Sequence, residues 1–213
     1  MISFGSAKVL VMPQADFFSK LGVFVVTDFL DAGACLRITR EAVSAAQSPL
    51  SVVDSDTSSE KFKPSVRRTK TATVTQSTVS FIQSRLQVLR HRLECHFDVA
   101  LDGCEIPQFL VYDEGDFFRP HTDSDDMPSK PAYVRNRKLS VVIFLNSESS
   151  DYEPGDFEGG SLILYGLVDD PRWKTYGFKL ISKPGLLIVF PSPTIHEVTA
   201  VTSGRRCSIA TWF

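Results

Sequence analysis

The sequence has no surplus of charge, no long hydrophobic run and no evident leader segment. Its 213 residues contain 23 Lys and Arg against 25 Asp and Glu, so the formal net charge is only −2. That balance gives no indication of binding to nucleic acid or to an anionic membrane surface. No stretch is long enough to span a membrane. The amino terminus lacks the charged start, apolar run and cleavage site of a secretory signal. We therefore expect neither nucleic-acid nor membrane binding.

Cysteine is also scarce, and no internal repeat is visible. Cys35, Cys95, Cys104 and Cys207 show no metal-binding spacing. Because nothing else in the sequence indicates export, we expect reduced thiols and a cytoplasmic location.

Length and composition predict one domain over residues 1–213. With 43% hydrophobic and 23% charged residues, the chain can bury a sizeable core. Residues 1–106 mix helix and strand signals and include a candidate lid loop, whereas residues 107–213 are mostly β. The predicted class is α+β, mainly β, with amino-terminal helices that support a β core.

Two helices are predicted in the first half. Asp31 can cap a helix over residues 32–46, and apolar residues three and four apart predict an amphipathic helix over residues 77–97. His91 and His96 are interpreted as surface or packing residues of that second helix. Strands are expected at VFVV and TKTATVT. The polar segment 48–70 is predicted to be a mobile loop, either a solvated linker or a flap over a site.

Many short strand candidates follow, separated by Gly, Pro and Asp: PQFLVYD, LSVVIFLN, SLILYGL, GFKLI, GLLIVFP, HEVTAV and CSIATWF. Such a series predicts a β-barrel or sandwich. The polar segment 123–138 is predicted to be a loop in which Asp125 and Asp126 are solvated or bind a basic substrate group. Glu153, Asp156 and Glu158 are expected in an exposed hairpin loop.

His121, Asp123 and His196 form the most informative combination. On an extended segment, residues two apart point the same way, so His121 and Asp123 can reach one metal. His196, 73 positions after Asp123, can join them if the chain folds back. Two imidazoles and one carboxylate on one face of an octahedron leave three open positions, as in non-haem Fe(II) oxygenases. The triplet alone is weak evidence, because a solvated loop carboxylate beside a partly buried histidine gives the same pattern.

A candidate carboxylate anchor lies ten residues after His196. Arg206 and Ser208 share one face of the predicted terminal strand, and a guanidinium can bind a carboxylate through two parallel hydrogen bonds. Arg205 competes for this role, although strand alternation turns it to the opposite face together with Cys207. A solvated strand edge is the alternative interpretation of the arginine pair.

Tyr112 is a further candidate, because its hydroxyl could contact a metal-bound acid. It lies nine residues before His121 on an apolar run. Gly115 fits a turn between two strands, which predicts that Tyr112 and His121 lie on neighbouring strands. An ordinary half-buried strand tyrosine would give the same signal.

These segments resemble the prolyl-4-hydroxylase-like branch of the Fe(II)/2-oxoglutarate-dependent dioxygenases. YDEGDFFRPHTD is similar to that family's Tyr-x-x-Gly-x-x-Phe-x-x-His-x-Asp segment. RKLSVVIFLN and FEGGSLILY resemble its Leu-Asn and Gly-Gly-x-Leu pattern, and KPGLLIVFPSPTIHEVTAVTSGRRCSIATWF resembles the region of its distal His and Gly-x-Arg. FVVTDFLDAGACLRITREAV is similar to its entry segment. The resemblance runs in pieces from about Phe24 to Phe213.

The resemblance implies a fold, cofactors and residue roles. The core would be a double-stranded β-helix, or jelly roll. His121, Asp123 and His196 would bind Fe(II), and 2-oxoglutarate and O2 would be co-substrates, with ascorbate as a possible support. Arg206 would hold the distal carboxylate of 2-oxoglutarate, helped by Ser208 and Tyr112. One departure is Phe144, which replaces a tyrosine that often contacts the same carboxylate in related protein hydroxylases.

The expected activity is hydroxylation of an unactivated C–H bond. The substrate would be a prolyl residue in a peptide or protein, or a free amino acid or other small molecule. A peptidyl substrate should need an open groove beside residues 50–70 and 124–138, whereas a small molecule should be enclosed by them. The alternatives are a nucleic-acid or protein demethylase of the same superfamily and a non-catalytic jelly-roll binding module.

Overall fold

The computed structural model describes residues 14–53, 60–128, 130–149 and 155–213. Within these ranges the chain is mostly β-structure with few helices, as predicted. Residues 54–59 of the predicted flap and Glu153 lie outside the described residues. No helix in the described ranges has the length and apolar character needed to cross a membrane.

The described residues form four helices: α1 (Gln14–Lys20), α2 (Ala32–Ser44), α3 (Gln76–Phe97) and α4 (Ala132–Asn136). Asp31 caps α2 as predicted, because its carboxylate accepts a hydrogen bond of 2.7 Å from the backbone N–H of Ala34. The predicted apolar stripe of α3 is confirmed, since Ile82, Leu86 and Leu93 are fully buried. The helix α4 was not predicted; it lies in the segment interpreted as a loop.

In the part of the chain that the structure describes, sixteen strands are distributed over two large and two small antiparallel sheets. In chain order they are β1 (Phe24–Val26), β2 (Gln47–Pro49), β3 (Val52–Val53), β4 (Glu60–Lys61), β5 (Arg67–Arg68), β6 (Lys70–Ala72), β7 (Gln108–Tyr112), β8 (Phe117–His121), β9 (Leu139–Phe144), β10 (Phe157–Gly159), β11 (Leu162–Tyr165), β12 (Gly177–Leu180), β13 (Leu187–Pro191), β14 (His196–Val198), β15 (Val201–Gly204) and β16 (Arg206–Trp212).

The larger sheet has seven strands in the order β1-β13-β9-β16-β7-β6-β2, and the second has five in the order β12-β11-β14-β8-β5. The small sheets are β10-β15 and β3-β4. The two large sheets are built mostly from residues after Pro107, and helices α2 and α3 come from the first half.

Two hydrophobic clusters cover the two faces of the seven-stranded sheet. Ile38 of α2 and Leu86 of α3 pack with one set of strand residues, which includes Cys207 and Ile209. The alternate strand residues, such as Leu110 and Phe190, pack against the five-stranded sheet. Because successive strand residues point to opposite faces, both faces are buried and these strands are continuous apolar runs. Cys207 therefore packs on the helix-covered face of the seven-stranded sheet, opposite to the face of Arg206 and Ser208, as predicted.

The segment between α2 and β6 was predicted to be a loop, and this is only partly correct. Its described residues contain four short strands, β2 to β5, of which β2 extends the seven-stranded sheet and β5 extends the five-stranded sheet. Polar edge strands of two or three residues carry no periodic signal, and their partners are distant in sequence. This segment thus places side chains at the open edge between the two large sheets.

Two strand predictions in the second half were wrong in detail. HEVTAV is two strands rather than one: β14 pairs within the five-stranded sheet, and β15 pairs with β10. Tyr112 and His121 do not lie on neighbouring strands, because the turn at Gly115 (φ +80°) carries the chain from one large sheet to the other. Glu158 belongs to β10, not to an exposed hairpin loop, and is half-buried.

Candidate metal centre and its cavity

The five-stranded sheet brings His121 and His196 together. They are directly opposite each other in the antiparallel pair β8–β14, and Asp123 follows β8 by two residues. The Nε2 atom of His121 lies 3.6 Å from Oδ1 of Asp123, and Nε2 of His196 lies 3.4 Å from Oδ2. One ligand atom from each of the three residues lies within 4.8 Å of the other two. The predicted triplet therefore converges on one point.

Backbone carbonyls set the orientation of both imidazoles. Nδ1 of His121 is 2.8 Å from the carbonyl oxygen of Arg119, and Nδ1 of His196 is 2.9 Å from that of Thr194. A carbonyl can only accept, so each Nδ1 carries the proton and each Nε2 keeps a free lone pair. Burial, reinforced by the neighbouring His196, also lowers the pKa of His121, which keeps the ring neutral. Both rings are thus prepared to donate to a metal.

The Asp123 carboxylate is held from the seven-stranded sheet. The hydroxyl of buried Ser140 donates to Oδ2 of Asp123 at 2.7 Å, and the backbone N–H of Asp123 donates to the carbonyl of Ser192 at 2.9 Å. Burial opposes ionisation, but the imidazoles of His196 and His121 and the Ser140 hydroxyl together lower the pKa of Asp123. The residue is therefore an anion aimed at the two imidazoles.

The predicted anchor, Arg206, is buried on the inner face of the seven-stranded sheet, with only 1% of its surface exposed. Its Nη1 donates to the hydroxyl of Ser208 at 2.7 Å, as expected for residues two apart on a strand. Its guanidinium carbon lies 5.0 Å from the ring centre of Tyr112 and 5.5 Å from that of Phe144. Phe144 cannot form a hydrogen bond, so Ser208 and Tyr112 are the polar neighbours of the Arg206 guanidinium.

Arg206 lacks an anionic partner. Its Nε is buried without a hydrogen-bond acceptor, and in the described part of the chain no carboxylate forms an ion pair with it. Burial lowers the pKa of this guanidinium, which shows that its charge is poorly solvated. Such a group is stabilised when a carboxylate binds next to it and accepts hydrogen bonds from its free N–H groups. Arg205, by contrast, points outward and forms a 2.6 Å ion pair with Asp113.

One cavity of about 660 Å³ connects the metal triplet with the anchor. His121, Asp123, His196, Arg206, Ser208 and Tyr112 all line it. Both polar segments predicted to flank a site also reach it, through residues such as Leu50 and Val66 on one side and Lys130 and Tyr133 on the other. All six predicted site residues therefore face one space large enough for a ligand of drug size.

Several cavity residues were not predicted from the sequence. Arg137 forms a bidentate ion pair with Glu105, at 2.6 and 2.8 Å, and lies 3.7 Å from the Trp212 ring centre. Arg67 of β5 enters from the edge of the five-stranded sheet. No local pattern distinguishes these side chains from solvated charges, because their partners come from distant parts of the chain.

Other candidate polar residues lie apart from the metal triplet. Asp125 lines the cavity but lies 3.8 Å from Lys130 as an ion pair, and Asp126 is exposed. On α3, His91 is exposed and His96 packs against Phe24 and Phe97. The interpretation of both histidines as surface or packing residues is confirmed.

Fold and site together define a β-structured protein in which two histidines and one carboxylate are grouped so that they could hold a metal ion. Residues 107–213 match the 2OG-Fe(II) oxygenase superfamily. The chain belongs to this family, which implies Fe(II) and 2-oxoglutarate as cofactor and co-substrate. The resemblance to its prolyl-4-hydroxylase-like branch, found in the sequence, is confirmed.

Two groups of similar proteins support this assignment. The chain is 36% identical over 107 residues to a PKHD-type hydroxylase of Nitrobacter winogradskyi, covering 50% of this chain and 42% of that protein. It is 37% identical over 109 residues to one of Acinetobacter baumannii, covering 50% and 41%. The match thus spans about two fifths of the length of these relatives.

The fold is shared with solved prolyl hydroxylases. A Pseudomonas putida prolyl-4-hydroxylase matches with a TM-score of 0.67 at 20% identity, covering 93% of this chain and 95% of that one. A Trichoplax adhaerens prolyl hydroxylase, in complex with a hypoxia inducible factor oxygen degradation domain peptide fragment, matches with a TM-score of 0.70 at 17% identity, covering 93% and 86%.

Proposed function

We propose that this protein is an Fe(II)- and 2-oxoglutarate-dependent dioxygenase that hydroxylates an unactivated C–H bond in a prolyl residue of a peptide or protein. The observation that carries the proposal is one cavity that joins His121, Asp123 and His196 to a buried arginine, Arg206, with which no carboxylate of the described residues forms an ion pair. The names of the relatives and of the structural neighbours support prolyl chemistry. A free amino acid or another small molecule is the alternative substrate.

The donor set fits Fe(II) and the anchor fits a dicarboxylic acid. Two neutral imidazoles and one carboxylate would hold the metal and leave positions open. Arg206 would donate hydrogen bonds to the distal carboxylate of 2-oxoglutarate, with Ser208 and Tyr112 beside it. When bound, iron and 2-oxoglutarate supply the oxidising chemistry that inserts oxygen into a C–H bond.

The protein's own residues then have three tasks. The carbonyls behind His121 and His196 keep both Nε2 lone pairs directed at the metal. Arg206 orients the co-substrate so that its keto-acid end reaches the metal. The apolar side chains around Leu162 and Val198 at the cavity wall exclude water from the site.

The two large sheets are proposed to form the double-stranded β-helix of this family. Residues 107–213 would be its catalytic core and residues 1–106 its support, within one domain. The family match begins at residue 107, and helices α2 and α3 pack on the outer face of the seven-stranded sheet. The four free cysteines fit a reducing, cytoplasmic setting.

The first test is an anaerobic titration of the purified protein with Fe(II) and 2-oxoglutarate. We expect the weak visible metal-to-ligand charge-transfer band of an Fe(II)–2-oxoglutarate chelate. His121→Ala and Asp123→Ala should abolish both the band and succinate formation, measured with ascorbate as reductant. His91→Ala is the matched control, because His91 is exposed on α3. Iron binding without a band in the wild type would favour a non-catalytic binding module, and full turnover in either triad variant would refute the metal assignment.

A further inference from the structure

A second arginine faces the same cavity and has no anionic partner either. Arg67 lines the cavity from β5, the edge strand that pairs with β8. Its Nε is buried without a hydrogen-bond acceptor. Its guanidinium donates a hydrogen bond to the Tyr112 hydroxyl, and burial lowers its pKa. In the residues that the structure describes, no carboxylate forms an ion pair with Arg67.

Arg67 is fixed next to the metal centre by a stack of rings. Its guanidinium carbon lies 4.5 Å from the ring centre of Phe118. The Phe118 ring stacks on His121, with ring centres 3.5 Å apart and an angle of 17° between the planes. A cation over an aromatic face is attracted by the ring and loses side-chain freedom. The Phe118 ring therefore connects the Arg67 guanidinium to the ring of His121, a proposed metal ligand.

Asp123 also attracts the Arg67 charge, but its carboxylate would be taken by the metal, so among the described residues no carboxylate is left to pair with Arg67 after the co-substrate is bound. Arg137 is already paired with Glu105, and Lys130 with Asp125. Of the two carboxylates of 2-oxoglutarate, one would belong to the metal and the other to Arg206. Arg67 is half-buried, but its Nε is buried without an acceptor, and a guanidinium N–H in that position favours a full negative charge over a neutral carbonyl.

We infer that Arg67 binds a carboxylate of the primary substrate and so selects substrates with an acidic group close to the carbon that is oxidised. This inference rests on the proposed function. The carboxylate could be the terminal group of a small acid or peptide, or an acidic side chain, and both sources present the same chemistry to Arg67.

The test compares acids with their neutral amides in binding rather than turnover. The probes are N-acetylproline against N-acetylprolinamide, for a terminal carboxylate, and acetyl-Ala-Pro-Asp-amide against acetyl-Ala-Pro-Asn-amide, for a side chain. Dissociation constants are measured by calorimetry on the protein loaded with Mn(II) and 2-oxoglutarate. In the wild type, the acid of one pair should bind about 10- to 100-fold more tightly than its amide, as expected for a hydrogen-bonded charge.

Arg67→Gln should abolish this preference, and Arg67→Lys should retain part of it, because lysine keeps the charge without the planar fork. Arg68→Gln is the matched control: it is the next residue on β5, its side chain is 51% exposed, and it lies 3.6 Å from Asp116. Thermal unfolding of each variant checks the fold. A preference for the acid in the N-acetylproline pair would identify a terminal carboxylate as the group that Arg67 binds, and a preference in the Asp/Asn peptide pair would identify an acidic side chain.

Three results would overturn the inference: equal or undetectable binding of acid and amide by the wild type, a preference that persists in Arg67→Gln, or a loss of 2-oxoglutarate binding in Arg67→Gln as large as that caused by replacing Arg206. The last result would assign Arg67 to the co-substrate site. Failure of the proposed function would be distinct, because the wild type would then not bind 2-oxoglutarate, while the acid and amide probes could still be compared on the Mn(II)-loaded protein.

Discussion

Replacing Arg206 with methionine should separate binding of the co-substrate from stability of the fold. In the bound state, the Arg206 guanidinium and the distal carboxylate of 2-oxoglutarate would form a buried ion pair. Removal of one partner from such a pair costs about 3–5 kcal/mol, or roughly two to three and a half orders of magnitude in the dissociation constant. We expect Arg206→Met to weaken 2-oxoglutarate binding by that factor.

The same substitution should cost little stability in the free protein. Arg206 has a 2.7 Å hydrogen bond to Ser208 and contacts with the Tyr112 and Phe144 rings, each worth about 1 kcal/mol. Against these losses, methionine removes a buried charge that has no counter-ion and leaves apolar volume in its place. The two effects oppose each other, so the melting temperature should change by only a few degrees, on the order expected for about 1 kcal/mol.

Calorimetric titration with 2-oxoglutarate and thermal unfolding of the ligand-free protein measure the two quantities. Arg205→Met is the matched control, because Arg205 points outward to Asp113 and should leave the dissociation constant unchanged. A variant that unfolds far below the wild type yet binds 2-oxoglutarate normally would refute the reasoning, since Arg206 would then be a structural residue.

Three further predictions concern the support of the site and the fold. Ser140→Ala removes the hydroxyl that donates to Asp123 and should weaken metal binding about 10- to 100-fold, measured by titration with Mn(II). Ser182→Ala should not, because the buried Ser182 hydroxyl has no hydrogen-bond partner among the described residues. Gly185→Ala places a Cβ 2.0 Å from the carbonyl oxygen of Leu30 at φ +80° and should destabilise the fold by about 2–4 kcal/mol in urea unfolding, whereas Gly103→Ala should be nearly neutral. Burial raises the pKa of Cys35 and of Cys207 to about 11, from 9.0, so both thiols ionise first in the unfolded chain. The contribution of these two thiols to stability should therefore be constant below pH 9.0 and fall between pH 9.0 and about 11; a Cys35→Ala, Cys207→Ala double variant that shows the same fall would contradict this origin.

Helices α2 and α3 and the main strands could be predicted because their signals are local. Asp31 caps α2, and the stripe from Ile82 to Leu93 buries one face of α3. The apolar runs of β9, β13 and β16 follow from burial on both faces of the seven-stranded sheet. The pairing of strands was harder to predict from the sequence. The turn at Gly115 was recognised, but its strands separate into two sheets, since a turn residue specifies a change of direction and not the partner of the next strand.

The candidate site likewise has some features that the sequence predicts and others that only the structure reveals. The sequence by itself determined which residues could bind a metal and a carboxylate: the spacing of His121, Asp123, Arg206 and Ser208 sets which side chains share a face, because residues two apart on an extended chain point the same way. Only the tertiary structure decided that His196 pairs opposite His121, that Ser140 fixes Asp123, and that no carboxylate among the described residues forms an ion pair with Arg206 or Arg67. These properties depend on burial and on contacts between residues far apart in the chain, and a residue's solvation and partners are not set by its neighbours in sequence.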